Sequence, residues 1–195
     1  MDRKVWDRLV STASIIIAVA MIVLGGLAIY GGNFGRNNVT DRLETQNIAF
    51  PPYEAMTPEE QAAVGNFAGE QVVNGEQAKG FSDYIAGHLA FVNDGATYSE
   101  TSAAARAEGL DPDKAAELGG MADTLFRGET LRAILLNAYG WWTVSTIAWF
   151  AGWFMVIAGI VLAVLAIMGF RHSKRYAADE APEEVTKKEY ATQSA

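Results

Sequence analysis

Residues 133–170, AILLNAYGWWTVSTIAWFAGWFMVIAGIVLAVLAIMGF, contain no Asp, Glu, Lys or Arg. Drawn as one helix, these 38 residues would extend about 57 Å, nearly twice a hydrocarbon core of ~30 Å. Part of the stretch must therefore lie outside lipid. Leu131, Ile134, Leu135, Ala138 and Trp142 recur at helical spacing, with Arg132 and Asn137 on other faces. That pattern predicts an amphipathic helix over 129–142 that packs on a neighbouring domain or lies along the membrane interface, with Gly140 as the joint. The spanning helix is then 143–170, with Trp141, Trp142, Trp149 and Trp153 clustered toward its first end.

A second charge-free stretch runs from Leu9 to Gly35. Its most apolar part is Ile15 to Leu24, and Tyr30 and Phe34 stand where an interfacial aromatic belt belongs. The apolar run outlasts a signal-peptide core, and the small-x-small site Ala18-Val-Ala20 falls inside it, which predicts an uncleaved transmembrane helix over 9–32. Gly31-Gly32-Asn33 marks its exit. Arg3, Lys4 and Arg8 precede this span, and Arg171-His-Ser-Lys-Arg175 follows the other. Basic residues beside a span favour the cytoplasm. The expected topology is a two-span protein of the cytoplasmic (inner) membrane, with a cytoplasmic leader at 1–8, an extracytoplasmic segment over 33–143 and a disordered cytoplasmic tail at 171–195.

Between the spans the material changes. Residues 31–143 hold 7 Lys or Arg against 16 Asp or Glu, so no basic stripe exists to meet nucleic-acid phosphates. Cysteine is absent, which excludes disulfides, thiolate nucleophiles and Cys-ligated metal centres. Thr57-Pro58-Glu59-Glu60 reads as a capping box opening a helix, with Val64, Phe67, Ala68 and Val72 as its apolar stripe and Asn74-Gly75 as its stop. Ala78, Phe81, Ile85, Leu89 and Val92 form a second stripe, ended by Asn93-Asp94-Gly95. Ser99 caps a short helix running to Gly109. Asp111-Pro112 opens a fourth, with Ala115, Leu118, Ala122 and Leu125 on one face. No strand pattern of any length occurs. The fold class is an all-α membrane protein, with two transmembrane helices flanking an extracytoplasmic α-helical domain over 33–128.

Small residues recur every seventh position: Ser11, Ala18, Gly25 and Gly32 in the first span, and Gly152, Gly159 and Ala166 in the second. Small faces allow close helix approach where lipid supplies no hydrophobic drive between helices. They serve packing of the spans on each other, on a second copy or on a foreign subunit. Neither span carries an ionisable residue of the kind that transport pathways leave inside a membrane. His88, with Tyr84 one turn earlier and Asp83 and Glu70 as candidate acids, lacks the convergent partners of a metal ligand or general base. Asp111, Asp113 and Glu117 lack the glycine and terminal acid of a calcium loop. The sequence thus nominates no catalytic residue, cofactor site or metal site.

Three segments carry a resemblance: Ala28-Ile-Tyr-Gly-Gly-Asn-Phe-Gly35, Gln46-Asn-Ile-Ala-Phe-Pro-Pro52, and Ala122 through Arg132 together with Asn137-Ala-Tyr-Gly-Trp-Trp142. On these the chain resembles uncharacterised two-span membrane proteins of actinobacteria, some of which bear an aromatic ring-opening dioxygenase label. That chemistry needs a metal held by histidines and a carboxylate, and this sequence has one histidine outside its tail. The resemblance implies lineage and topology rather than activity. The expected function is a non-catalytic accessory or scaffold subunit of a bacterial envelope complex. Its partners are the lipid bilayer and either another membrane protein or further copies of itself. The alternative is a membrane-anchored sensor or regulator whose outer domain binds a small ligand or peptide.

Overall fold

A computed structural model describes the backbone of residues 3–193 and the side chains of residues 5, 6 and 9–172. The basic side chains of Arg3, Lys4, Arg8, Lys174 and Arg175, on which the topology reading leans, lie outside the described residues. Five α-helices follow in order: α1 Arg3–Glu44, α2 Pro58–Val64, α3 Gly75–Leu89, α4 Tyr98–Ala104 and α5 Pro112–Gln193. No strand occurs among the described residues; extended pairing is confined to one bridge between Ala49 and Gln71. Within α1 and α5 are two segments long and apolar enough to cross a membrane. Only 11% of the most apolar window in each is buried, which is unlike the core helix of a soluble protein.

The chain divides into two compact units, 1–31 with 148–195, and 32–147. In the first, α1 and α5 pack antiparallel and bury one narrow seam. Ile16, Leu24, Leu27, Phe154, Ile157 and Leu165, each from one of the two charge-free stretches, are exposed, Phe154 by 74%. Side chains of this kind are compatible with a hydrocarbon surrounding.

The second unit has a core of its own. Val39 and Leu43 from α1 meet Phe50, Met56, Val64, Val72, Ala78 and Leu135, with Phe67, Phe81, Ala138 and Trp142 packed around them. Phe50 stacks on Phe67 and meets Phe81 edge-on, at ring separations of 5.4 and 5.2 Å. The Arg132 Nε–H donates to the Ser82 carbonyl at 3.2 Å, tying α5 to α3. The Arg36 guanidinium lies 4.9 Å over the Trp142 ring.

Several expectations give way. The first long helix does not end at Gly32 but continues to Glu44, because Val39 and Leu43 find a core to enter. Residues 112–128, 129–142 and 143–170 are stretches of one helix, with no joint at Gly140. A single glycine weakens a helix by only ~1 kcal/mol, less than the packing of Leu135 and Trp142 returns. Leu131 and Ile134 face outward rather than into a core. Leu135 of the same expected stripe is buried, with Ala138 and Trp142 packed on the core, and Leu118, Ala122 and Leu125 are buried as their spacing predicts. The backbone of α5 is helical to Gln193, where composition predicted disorder from 171; the Ala, Glu, Lys and Gln there are strong helix formers.

Capping explains most helix starts. Thr57 accepts from the Glu60 N–H while the Glu60 carboxylate accepts from the Thr57 N–H. The helix it opens stops at Val64, however, and Val72 reaches the core from an extended segment beyond Gly69, whose φ is +72°. Asn74 does not stop a helix. It caps the next one, accepting from the Gln77 N–H at 2.9 Å. Thr97, not Ser99, caps α4 through a second box with Glu100, and α4 ends at Ala104 rather than Gly109.

Candidate functional site

The small residues of unit 1 occupy the seam itself. Ser11, Ala18, Gly25, Gly152, Gly159 and Ala166 are all buried, Ala18 completely. A Cβ added at Gly25 would lie 2.7 Å from the Gly152 carbonyl oxygen, and one at Gly152 equally close to that of Gly25. A Cβ on Gly159 would meet the Ala18 carbonyl at 2.9 Å, and one on Gly169 would meet the Ser11 hydroxyl at 2.9 Å. Seven residues up one helix therefore match seven down the other, the repeat of a left-handed helix pair. Gly32 belongs to the other unit, where it is buried and where Gly35 faces the Ser145 side chain. This arrangement packs helices.

His88 in α3 sits between three groups. Its Nδ1 lies 3.1 Å from the Tyr84 carbonyl and its Nε2 3.4 Å from Glu60 Oε1. Its ring meets Tyr84 at 4.5 Å, edge to face. Burial, aided by the Glu60 carboxylate, raises the Tyr84 hydroxyl pKa above its ordinary value. The two acids that sequence nominated are engaged elsewhere. Asp83 pairs with Lys79 at 2.6 Å, a hydrogen bond that raises the lysine pKa, and Glu70 accepts from Gln77. Asp111 caps α5 by accepting from the N–H of Asp113, and Glu117 pairs with Lys114. Among the described residues, no three His, Asp or Glu side chains are grouped to hold a metal.

The third feature is a surface. Where α3 ends, Phe91 stands 88% exposed, beyond any other large apolar side chain described. Asn93 and Asp94 turn the chain in the left-handed region, and Thr97 starts α4. Tyr98 then reaches Phe126 of α5, with ring centroids 5.6 Å apart and both side chains largely exposed. Beside this pair lies an open cleft of about 370 Å³ whose walls include Leu89, Ala90, Thr97, Leu125 and Glu129. The sequence reading missed Phe91. It falls one position before Val92, off the apolar stripe of α3, and a phenylalanine off the stripe beside a Gly-terminated turn was the available signal. The chain matches no protein-family model, no curated protein and no solved structure.

Proposed function

We propose that the chain is a hairpin of the cytoplasmic membrane, with both termini inside and residues 33–143 outside, acting as a non-catalytic accessory or scaffold subunit. The observation that carries this reading is the exposed aromatic pair of Tyr98 and Phe126 beside an open cleft. An exposed apolar patch of this kind marks a protein-binding face, whereas a sensor for a small ligand would call for an enclosed pocket with convergent polar groups. The small residues of the seam are already paired with one another, so they leave the outer unit as the surface for a partner, another membrane protein or a second copy. The acidic balance of residues 31–143 favours a partner with a basic face.

A photo-cross-linking residue at position 98, in the full chain in its native membrane, should yield a discrete protein adduct that disappears when Phe126 is replaced by Asp. Adducts to lipid alone, or none, would defeat the subunit reading. Alkaline phosphatase fused after Gly75 should be active and after Ala177 inactive; the opposite pattern would invert the topology.

A further inference from the structure

At the end of the seam where α1 begins, the two helices of unit 1 border a groove of about 510 Å³. Trp6, Ser11 and Ser14 line one side, and Leu165, Gly169 and His172 the other. From these residues we infer that the groove is a binding site for an anionic phospholipid of the leaflet it faces. The inference rests on the membrane-hairpin reading and is independent of any protein partner.

Four observations converge on that ligand. The groove lies where both charge-free stretches stop, since Leu9 follows Arg8 and Phe170 precedes Arg171; in a spanning hairpin this is headgroup depth. Its inner wall is apolar, with Leu162 and Leu165 placed to meet an acyl chain, while Ser11 and Ser14 offer hydroxyl donors at its floor. Trp6 is 59% exposed on its rim, the position an amphipathic indole takes at a lipid interface. Arg171, next to the groove-lining His172, is exposed, and by sequence residues 1–8 carry three basic residues against Asp2 and Asp7 while 171–175 carry three basic residues and no acid. Basic flanks around a groove between membrane helices select anionic headgroups over zwitterionic ones. The acidic 31–143 segment would repel the same lipid, so the preference is local to this end.

The test reconstitutes the full chain in phosphatidylcholine vesicles containing either brominated phosphatidylglycerol or brominated phosphatidylcholine. The signal is quenching of Trp6, taken as the difference between wild type and Trp6→Phe. Brominated phosphatidylglycerol should quench half-maximally at a mole fraction at least fivefold lower. Arg171→Gln should reduce that preference about fivefold, the worth of one basic residue near a surface, without altering quenching by phosphatidylcholine. Ser14→Leu, which fills the groove and leaves every charge in place, should abolish the preference. Equal quenching by both lipids in inserted protein overturns the inference. So does a preference that survives Ser14→Leu, because diffuse surface charge would then suffice. Failure of the wild-type chain to insert into vesicles overturns the membrane reading, and the lipid site with it.

Discussion

Replacing Gly152 or Gly25 with Ala should weaken the helix pair, while the same change at Gly26 should not. A Cβ on Gly152 would lie 2.7 Å from the Gly25 carbonyl oxygen and 2.8 Å from the Ile29 nitrogen. Both are backbone atoms, which cannot rotate away. Ordinary contact begins near 3.4 Å, so the helices must part locally by about 0.7 Å, and a gap of that size forfeits a quarter to a half of each dispersion contact along the opened seam. Overpacking of this kind costs ~1–3 kcal/mol, up to about a hundredfold in the folded-to-unfolded ratio. Gly26, one residue away, has nothing within 4 Å of its added Cβ, and alanine there should stabilise the helix by ~0.5–1 kcal/mol. The double variant Gly25→Ala/Gly152→Ala should cost less than the sum of the singles, because one separation accommodates both methyl groups. The assay is SDS titration of the protein in mixed micelles, followed by tryptophan fluorescence. If Gly25→Ala and Gly152→Ala shift the midpoint in the same direction as Gly26→Ala, or if the pair is strictly additive, the backbones do not touch and the seam reasoning is refuted.

Leu135 is 1% exposed within a cluster that includes Val39, Val64 and Val72; Leu135→Ala should cost ~2–5 kcal/mol, visible as a lowered thermal midpoint of the 32–147 unit in the full chain, whereas Ile134→Ala, on the exposed face, should leave that midpoint nearly unchanged. Glu100 accepts hydrogen bonds from the Thr97 N–H and hydroxyl, which hold its carboxylate below the usual range. A pKa lowered on folding contributes stability that is fully present above the unfolded value of about 4.3 and is lost as pH falls through the lower folded value. Protection of α4 amides against hydrogen exchange should therefore decline on acidification below about pH 4.3 in wild type and stay flat in Glu100→Gln; equal pH dependence in both would remove Glu100 as its cause.

What could be read from sequence was local. The Thr57 box and the Asp111 cap each close within three residues, so residue types alone specify them, and the seven-residue spacing of small residues was visible without knowing what lay opposite. Ambiguity began where one local pattern serves two structures. Asn74-Gly75 is as good a helix stop as a start, and Gln77 decides it: its N–H donates to the Asn74 side chain while its own carbonyl Oε1 accepts from the Val73 N–H. Val64, Phe67, Ala68 and Val72 are spaced like a helix face, and they do go inward. The left-handed Gly69, however, turns the chain into an extended segment rather than letting the helix continue to Val72. Non-local choices lay beyond any pattern. Whether Leu131 and Ile134 or Leu135 and Trp142 face the core depends on where α3 lies, and Gly75 sits directly against Trp142 because no side chain could. The same contact argues that residues 129–147 belong to the folded unit rather than to an adjoining interfacial segment. A domain drawn to end at 128 would leave Val39, Leu43 and Val72 without the leucine that closes over them.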